Sequence, residues 1–240
     1  MNVAYSKRYH DWRKKHGTVF RPECLCPHPQ EMKLETKAGT FVLNVRNYKE
    51  NIQNYPKYGS ICELQNSGGK VLYRWCNLDN DLNFFRVIHH NDGTDYLIFR
   101  QDLYGYSVLN LQTMQDFHYI PDDSFPPGKK NFAETFIWTD AFYEPQSSLL
   151  AVSGCFWARP CSIIVLDFSQ PMKMNENWVD IHLLLDADYD IYEDINFLKW
   201  ADEALILKGV ENSAETFKTI TLPVNILRNA LEKQELSVML

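Results

Sequence analysis

The segment Cys24-Leu-Cys-Pro-His28 brings two thiols and an imidazole together along the chain. Thiolate and imidazole groups are the ligands that Zn²⁺ prefers in structural sites. Strong zinc signals combine two such elements at a distance, and the sequence supplies no second pair with the usual spacing. We therefore interpret the segment as an ordinary loop, and we expect neither a metal ion nor another cofactor.

A second chemically dense stretch is the acidic segment 186–194, Asp-Ala-Asp-Tyr-Asp-Ile-Tyr-Glu-Asp. Counted from Asp186 as a calcium loop, its sixth position is Ile191, where an EF-hand requires glycine. One interpretation is a solvated acidic connection between elements. The other is a contact for a basic protein partner, with Asp188 supplying charge and Tyr189 and Tyr192 acting as aromatic anchors.

The string Gly154-Cys-Phe-Trp matches the nucleophile motif of peptide methionine sulfoxide reductases. In those enzymes the cysteine follows the first strand of an α/β domain, and a glutamate lies shortly downstream. Here Ala158-Arg-Pro-Cys follows, and the flanking residues are typical of β-strands. The string is thus interpreted as a turn between two strands, with Phe156, Trp157 and Arg159 at a protruding tip.

The elements that would position these residues recur along the chain. A polar turn followed by an apolar run of strand-forming residues occurs four times. The matched positions Phe41, Tyr96, Leu149 and Ala204 have a period of about 55 residues. Pairs such as Asp92-Gly93 favour tight turns, because glycine accepts positive φ angles. The repeat predicts a β architecture built from similar units.

Further strands are predicted around each matched run, which makes about four strands per unit. After the run they are 58–64, 106–111, 161–168 and 216–222, then 70–75, 116–120 and 178–184; before it they are 84–90, 134–140 and 195–200. Segment 224–235 has apolar residues spaced three to four apart and predicts a short C-terminal helix. Residues 1–17 are interpreted as an irregular or helical arm.

Within segment 134–169, Thr135-Phe-Ile-Trp-Thr-Asp-Ala-Phe-Tyr-Glu-Pro is followed by Leu149-Leu-Ala-Val-Ser-Gly and Ile163-Ile-Val-Leu-Asp-Phe. This order of runs resembles the blades of WD-repeat and related β-propellers. The Trp-Asp dipeptide and the Gly-His blade start of that family are missing. The repeat and the resemblance together predict a small β-propeller-like array of about four four-stranded antiparallel sheets, as one all-β domain over residues 1–240. A curved stack of sheets or a two-sheet sandwich is the alternative, and the resemblance implies no activity.

The composition limits the partners of the protein. The formal net charge of −7 disfavours nonspecific binding to nucleic acid or to an anionic membrane, since both require a cationic surface. The first residues lack the apolar core of a signal peptide, and no apolar run reaches the ~20 residues of a membrane span. The scattered cysteines are interpreted as reduced thiols, and the expected location is cytoplasmic.

Aromatic residues make up 14% of the chain. In a propeller, one face would collect the loops 46–57, 101–105, 154–160 and 210–215 together with the connections between units. The predicted partner-binding residues there are Tyr48, Tyr55, Tyr104, Phe156, Trp157, Arg159, Asp188, Tyr189 and Tyr192.

The sequence therefore predicts a non-enzymatic protein-interaction module that binds a partner protein, for which a basic protein is compatible. An immunity or inhibitor protein is one subtype that fits the charge. The alternative is an enzyme that processes a small molecule or carbohydrate with Asp and Glu residues of the same face. A deep pocket with convergent carboxylates would favour the enzyme.

Overall fold

A computed structural model describes residues 1–52, 56–78, 83–126, 135–157, 159–174, 177–186, 188, 190–212 and 216–238, and the side chains as far as residue 233. The chain divides into two compact units, Met1–Thr135 and Phe136–Leu240. The prediction of a single domain over residues 1–240 stays a prediction.

The first unit begins with a helix and continues as two antiparallel four-stranded sheets, each in simple sequence order. Its elements are α1 Lys7–His16, β1 Gln30–Thr36, β2 Gly39–Glu50, β3 Lys57–Asn66, β4 Val71–Leu78, β5 Phe85–His89, β6 Asp95–Gln101, β7 Gly105–Asn110 and β8 Asp116–Tyr119.

The second unit has a four-stranded sheet, a three-stranded sheet and two helices. Its elements are β9 Ile137–Glu144, β10 Leu149–Cys155, β11 Cys161–Asp167, β12 Trp178–Asp180, α2 Ile181–Leu185, β13 Tyr192–Ala201, β14 Ala204–Glu211, β15 Phe217–Pro223 and α3 Val224–Val238. The predicted all-β array of about four antiparallel sheets with a short C-terminal helix is confirmed.

Several element boundaries differ from the sequence predictions. Strand β1 was not predicted, because only two of its seven residues, Met32 and Leu34, are apolar, and so its alternation is a weak signal. The strand predicted over 178–184 ends at Asp180, whose carboxylate accepts hydrogen bonds from the backbone N–H groups of His182 and Leu183 and starts α2. This N-cap arrangement favours helix over further strand.

The core of the first unit forms because the inward positions of its strands are apolar at alternate residues. One cluster joins side chains of both sheets and is fully or nearly fully buried. Its members are Phe41, Leu43, Val45, Cys62, Leu64, Trp75, Leu97, Phe99, Leu109 and Leu111.

The second unit buries its own cluster, in which both sheets and both helices take part. From α3 it includes Leu227 and Leu231, one helical turn apart, and from the three-stranded sheet it includes Leu205, Leu207 and Ile220. Helix α3 therefore covers apolar strand residues of this unit.

Close packing around Gly154 explains why the Gly154-Cys-Phe-Trp string begins with glycine. The pairing of β10 with β9 shifts register between Ser153 and Gly154. A Cβ atom built on Gly154 would lie 2.0 Å from the carbonyl oxygen of Ile137 and 2.6 Å from the ring of Phe136. Glycine at this position is thus explained by close backbone packing.

We expect Gly154→Ala to lower the free energy of unfolding by roughly 1–3 kcal/mol, because the added methyl group must displace backbone atoms of β9. Urea unfolding of the purified protein measures the change. Gly68→Ala is the matched control, since a Cβ there comes no closer than 3.4 Å to another atom. Equal stability of the two variants would contradict this steric explanation.

Candidate functional site

The first unit contains an apolar cavity of about 260 Å³ between α1 and the turn that connects β6 to β7. We call it the aromatic pocket. Its lining residues are Tyr9, Trp12, Leu78, Asp102, Leu103, Tyr104, Ile120, Ser124 and Phe125.

Helix α1 positions one wall of the aromatic pocket. The Ser6 side chain accepts a hydrogen bond from the Tyr9 N–H and caps the helix start, as serine commonly does. Tyr9 and Trp12 then lie one turn apart on the same helix face. Both rings contact Phe125 edge-on, at centroid distances of 5.3 and 5.5 Å. These contacts hold the aromatic wall in a defined arrangement.

A buried ion pair lies against the pocket. The guanidinium Nη1 of Arg13 is 2.6 Å from the Asp102 carboxylate, and the two side chains are only 16% and 8% exposed. The same carboxylate accepts hydrogen bonds from the Tyr9 hydroxyl and, at 2.8 Å, from the Leu78 N–H. Asp102 has a left-handed φ of 53°, a conformation that Asp tolerates better than most residues. Its oxygens are therefore occupied by structural contacts.

The protonation states of this network follow from its surroundings. Burial and the charge of Asp102 raise the pKa of the Tyr9 hydroxyl far above its usual value. Burial, the largest single influence, would lower the pKa of Arg13, but Asp102, Tyr9 and Cys76 together raise it. Tyr9 therefore stays neutral, and Arg13 stays charged, at ordinary pH values.

A chain of hydrogen bonds continues from Tyr9 across β6 and β7 to β8, the edge strand of the sheet. Gln101 Nε2 donates to the Tyr9 hydroxyl at 3.1 Å, and Ser107 Oγ lies 3.1 Å from Gln101 Oε1 and 2.6 Å from His118 Nδ1. His118 Nε2 is 3.4 Å from the Asp116 carboxylate. These residue types also occur in catalytic triads, but Ser107 is fully buried and cannot reach a substrate in this structure.

The structure places Tyr104 in the aromatic pocket, and Tyr48 and Tyr192 in buried positions. Tyr48 belongs to β2, which extends into the predicted loop as far as Glu50. The Tyr48 ring packs against the Phe20 ring at a centroid distance of 5.4 Å. Tyr192 begins β13 rather than lying in a connection. Tyr55 and Tyr189 lie outside the described residues.

The Phe156–Arg159 turn is divided between packing and exposure. The Phe156 ring contacts Phe136 and Trp178 at 5.4 and 5.9 Å, and the Arg159 guanidinium lies 5.7 Å from its centre. Trp157 is 60% exposed, and Arg159 is exposed as well. Trp157 and Arg159 are therefore the protruding residues of this tip.

The acidic segment is organised around one residue. Asp186 is buried, and its two carboxylate oxygens accept hydrogen bonds from the backbone N–H groups of Asp190, Ile191 and Tyr192. Burial alone would raise the pKa of Asp186, but these donors together lower it. Asp188 is exposed. Asp186 thus shapes the chain rather than contacting a partner.

In the described part of the chain, no three or more His, Cys, Asp or Glu side chains cluster in a way that could hold a metal ion. None of the helices described is both long enough and apolar enough to cross a bilayer.

Comparison with known proteins adds one similarity. The chain is 27% identical over 197 residues to "Uncharacterized protein R762" of Acanthamoeba polyphaga mimivirus, across 77% of this chain and 68% of that protein. That name states no activity. No protein-family description matches the chain, and no solved structure matches it. The resemblance to WD-repeat blades stays a prediction.

Most of the pocket residues were not predicted from the sequence. Tyr9, Trp12 and Arg13 have the helical spacing of one buried face, which was a usable signal in the N-terminal arm. Asp102 and Phe125 offered none, because each becomes part of the site only when distant segments meet.

We expect Asp102→Ala to lower the free energy of unfolding by about 3–5 kcal/mol, because it leaves the charge of Arg13 buried without its partner. Denaturant unfolding measures the loss. Asp11→Ala, which removes a solvent-exposed contact with Lys7, is the control and should change stability little. Similar losses in both variants would contradict the structural role of the buried pair.

His118 should make stability depend on pH. Burial lowers the pKa of His118 below its usual ~6.5 in the folded state, although Asp116 acts in the opposite direction. Below about pH 6.5 the unfolded chain then binds a proton before the folded chain does, which destabilises the fold; above that pH the effect vanishes. As the pH falls below 6.5, we expect the free energy of unfolding to decrease less for His118→Gln than for wild type. Parallel urea-stability profiles between pH 5 and 8 would contradict this.

Proposed function

We propose that this protein is a non-enzymatic interaction module, and that its aromatic pocket receives an apolar side chain of a partner protein. The observation that carries the proposal is the pocket itself, an apolar cavity with walls formed by Trp12, Tyr104 and Phe125. Apolar anchors that fill desolvated pockets dominate the energy of many protein interfaces.

The size of the aromatic pocket supports a side chain as its occupant. At about 260 Å³ it lies below the ~300–1,000 Å³ typical of small-molecule and cofactor sites. Such a cavity accommodates one large aliphatic or aromatic group. The rest of the partner would then lie on the surrounding surface, where Tyr104 and Trp12 are half-buried.

The small number of carboxylates at the aromatic pocket also favours a binding function over an enzymatic one. Asp102 is the one carboxylate among the described residues that line the pocket, and its oxygens are held by Arg13, Tyr9 and the Leu78 N–H. The alternative hypothesis, a carbohydrate-processing enzyme, would require two carboxylates facing one substrate at roughly 5–10 Å. A basic partner, an immunity or inhibitor role, and contacts made by Trp157 remain part of the proposal on the grounds of charge and exposure.

The proposal predicts which peptides the purified protein selects from a displayed random library. We expect the selected peptides to share an aromatic or large aliphatic residue. Tyr104→Ala should weaken their binding by roughly 30-fold, equivalent to ~2 kcal/mol, because it removes one wall of the pocket. Leu103→Asp should abolish binding, because a charge at the mouth opposes entry of an apolar group.

Leu198→Asp is the matched control, since it introduces the same charge at a leucine that is 49% exposed on β13, in the other unit. Fluorescence titration measures the affinities, and thermal unfolding verifies that each variant is folded. Selected peptides that bind Leu103→Asp as tightly as wild type would overturn the assignment of the pocket.

A further inference from the structure

The turn between β10 and β11 is closed at its base by two cysteines. Cys155 is the last residue of β10, Cys161 is the first residue of β11, and the two are direct partners in the antiparallel ladder. None of the other cysteines, all of which lie in the described residues, is paired in register with another cysteine. Both residues are thiols in the structure.

Direct partners in an antiparallel ladder have the geometry that a disulfide needs. Their side chains lie on the same face of the sheet, and their Cα atoms are about 4.5–5.5 Å apart. Disulfides span Cα separations of about 4.4–6.8 Å. A bond between the two sulfurs therefore requires rotation of side chains and little movement of the backbone.

We propose that Cys155 and Cys161 form a reversible intramolecular disulfide that fixes the base of the Phe156–Trp157 tip. This modification site is independent of the aromatic pocket. Cys161 is exposed and Cys155 is half-buried, so an external oxidant reaches Cys161 first.

The reaction uses a low-molecular-weight disulfide, for which glutathione disulfide is the probe. The Cys161 thiolate attacks one glutathione sulfur, the other glutathione leaves as a thiolate, and a mixed disulfide forms. The Cys155 thiolate then attacks the Cys161 sulfur and releases the second glutathione. The protein loses two electrons and two protons, and glutathione disulfide gains both as it becomes two thiols.

Burial and a neighbouring carboxylate both slow the first step. The Cys161 N–H donates a hydrogen bond to Asp194 of β13 at 2.7 Å. Burial and the negative charge of Asp194 raise the pKa of the Cys161 thiol. Because the thiolate is the attacking form, this surrounding slows oxidation at neutral pH. Removal of the charge should accelerate the reaction.

The test exposes fully reduced protein to increasing ratios of glutathione disulfide to glutathione, alkylates the remaining thiols in denaturant, and measures intact mass. We expect the number of alkylated thiols in wild type to fall from six to four, and excess glutathione to restore all six. Digestion with chymotrypsin after Phe156 or Trp157 should yield two peptides that are joined through Cys155 and Cys161 until a reductant is added.

Cys155→Ser and Cys161→Ser should each lose this two-thiol step. Cys26→Ser, which removes another half-buried thiol, should retain it, and Asp194→Asn should oxidise faster than wild type. Six alkylated thiols at the most oxidising ratio, a link between other cysteines, or accumulation of a glutathione adduct without ring closure would each overturn the proposal. The wild-type measurement does not depend on how well the variants fold.

Discussion

The buried ion pair between Arg13 and Asp102 is the interaction on which the candidate site depends. It joins helix α1 to the β6–β7 turn, and the Asp102 carboxylate also holds the end of β4 through the Leu78 N–H. Asp102 adopts a left-handed conformation, which Asp tolerates better than most residues. Because all of these groups are buried, each is costly to leave unpaired, so the helix, the turn and the strand end are positioned together.

The aromatic pocket is a consequence of that arrangement. With Arg13 directed to Asp102, the neighbouring helix positions Tyr9 and Trp12 face the turn and Phe125. The polar groups beneath them satisfy one another through Gln101, Ser107 and His118, which leaves an apolar surface lining the cavity. A satisfied polar network below an apolar cavity is suited to binding an apolar group.

In the second unit, the register of strand pairing brings together residues that could react with one another. The sequence string that contains Gly154, Phe156 and Trp157 matches a catalytic motif, but its residues have packing roles. Gly154 allows close approach of the neighbouring strand, and the Phe156 ring packs against Phe136. The residue that matters with Cys155 is Cys161, six positions later, because the hairpin makes them direct partners. Asp194 reaches the same place from a different sheet.

The sequence by itself determined most of the strands, their grouping into about four sheets and the C-terminal helix, because alternation of apolar residues and turn chemistry act over a few neighbouring positions. It also indicated Tyr104 and Trp157 as accessible aromatic residues on turns. Only the tertiary structure decided that Tyr48 and Tyr192 are buried, that Arg13 meets Asp102, and which segments enclose a pocket. The physical reason is that burial and ion pairing depend on contacts between residues far apart in the chain, which local patterns do not specify.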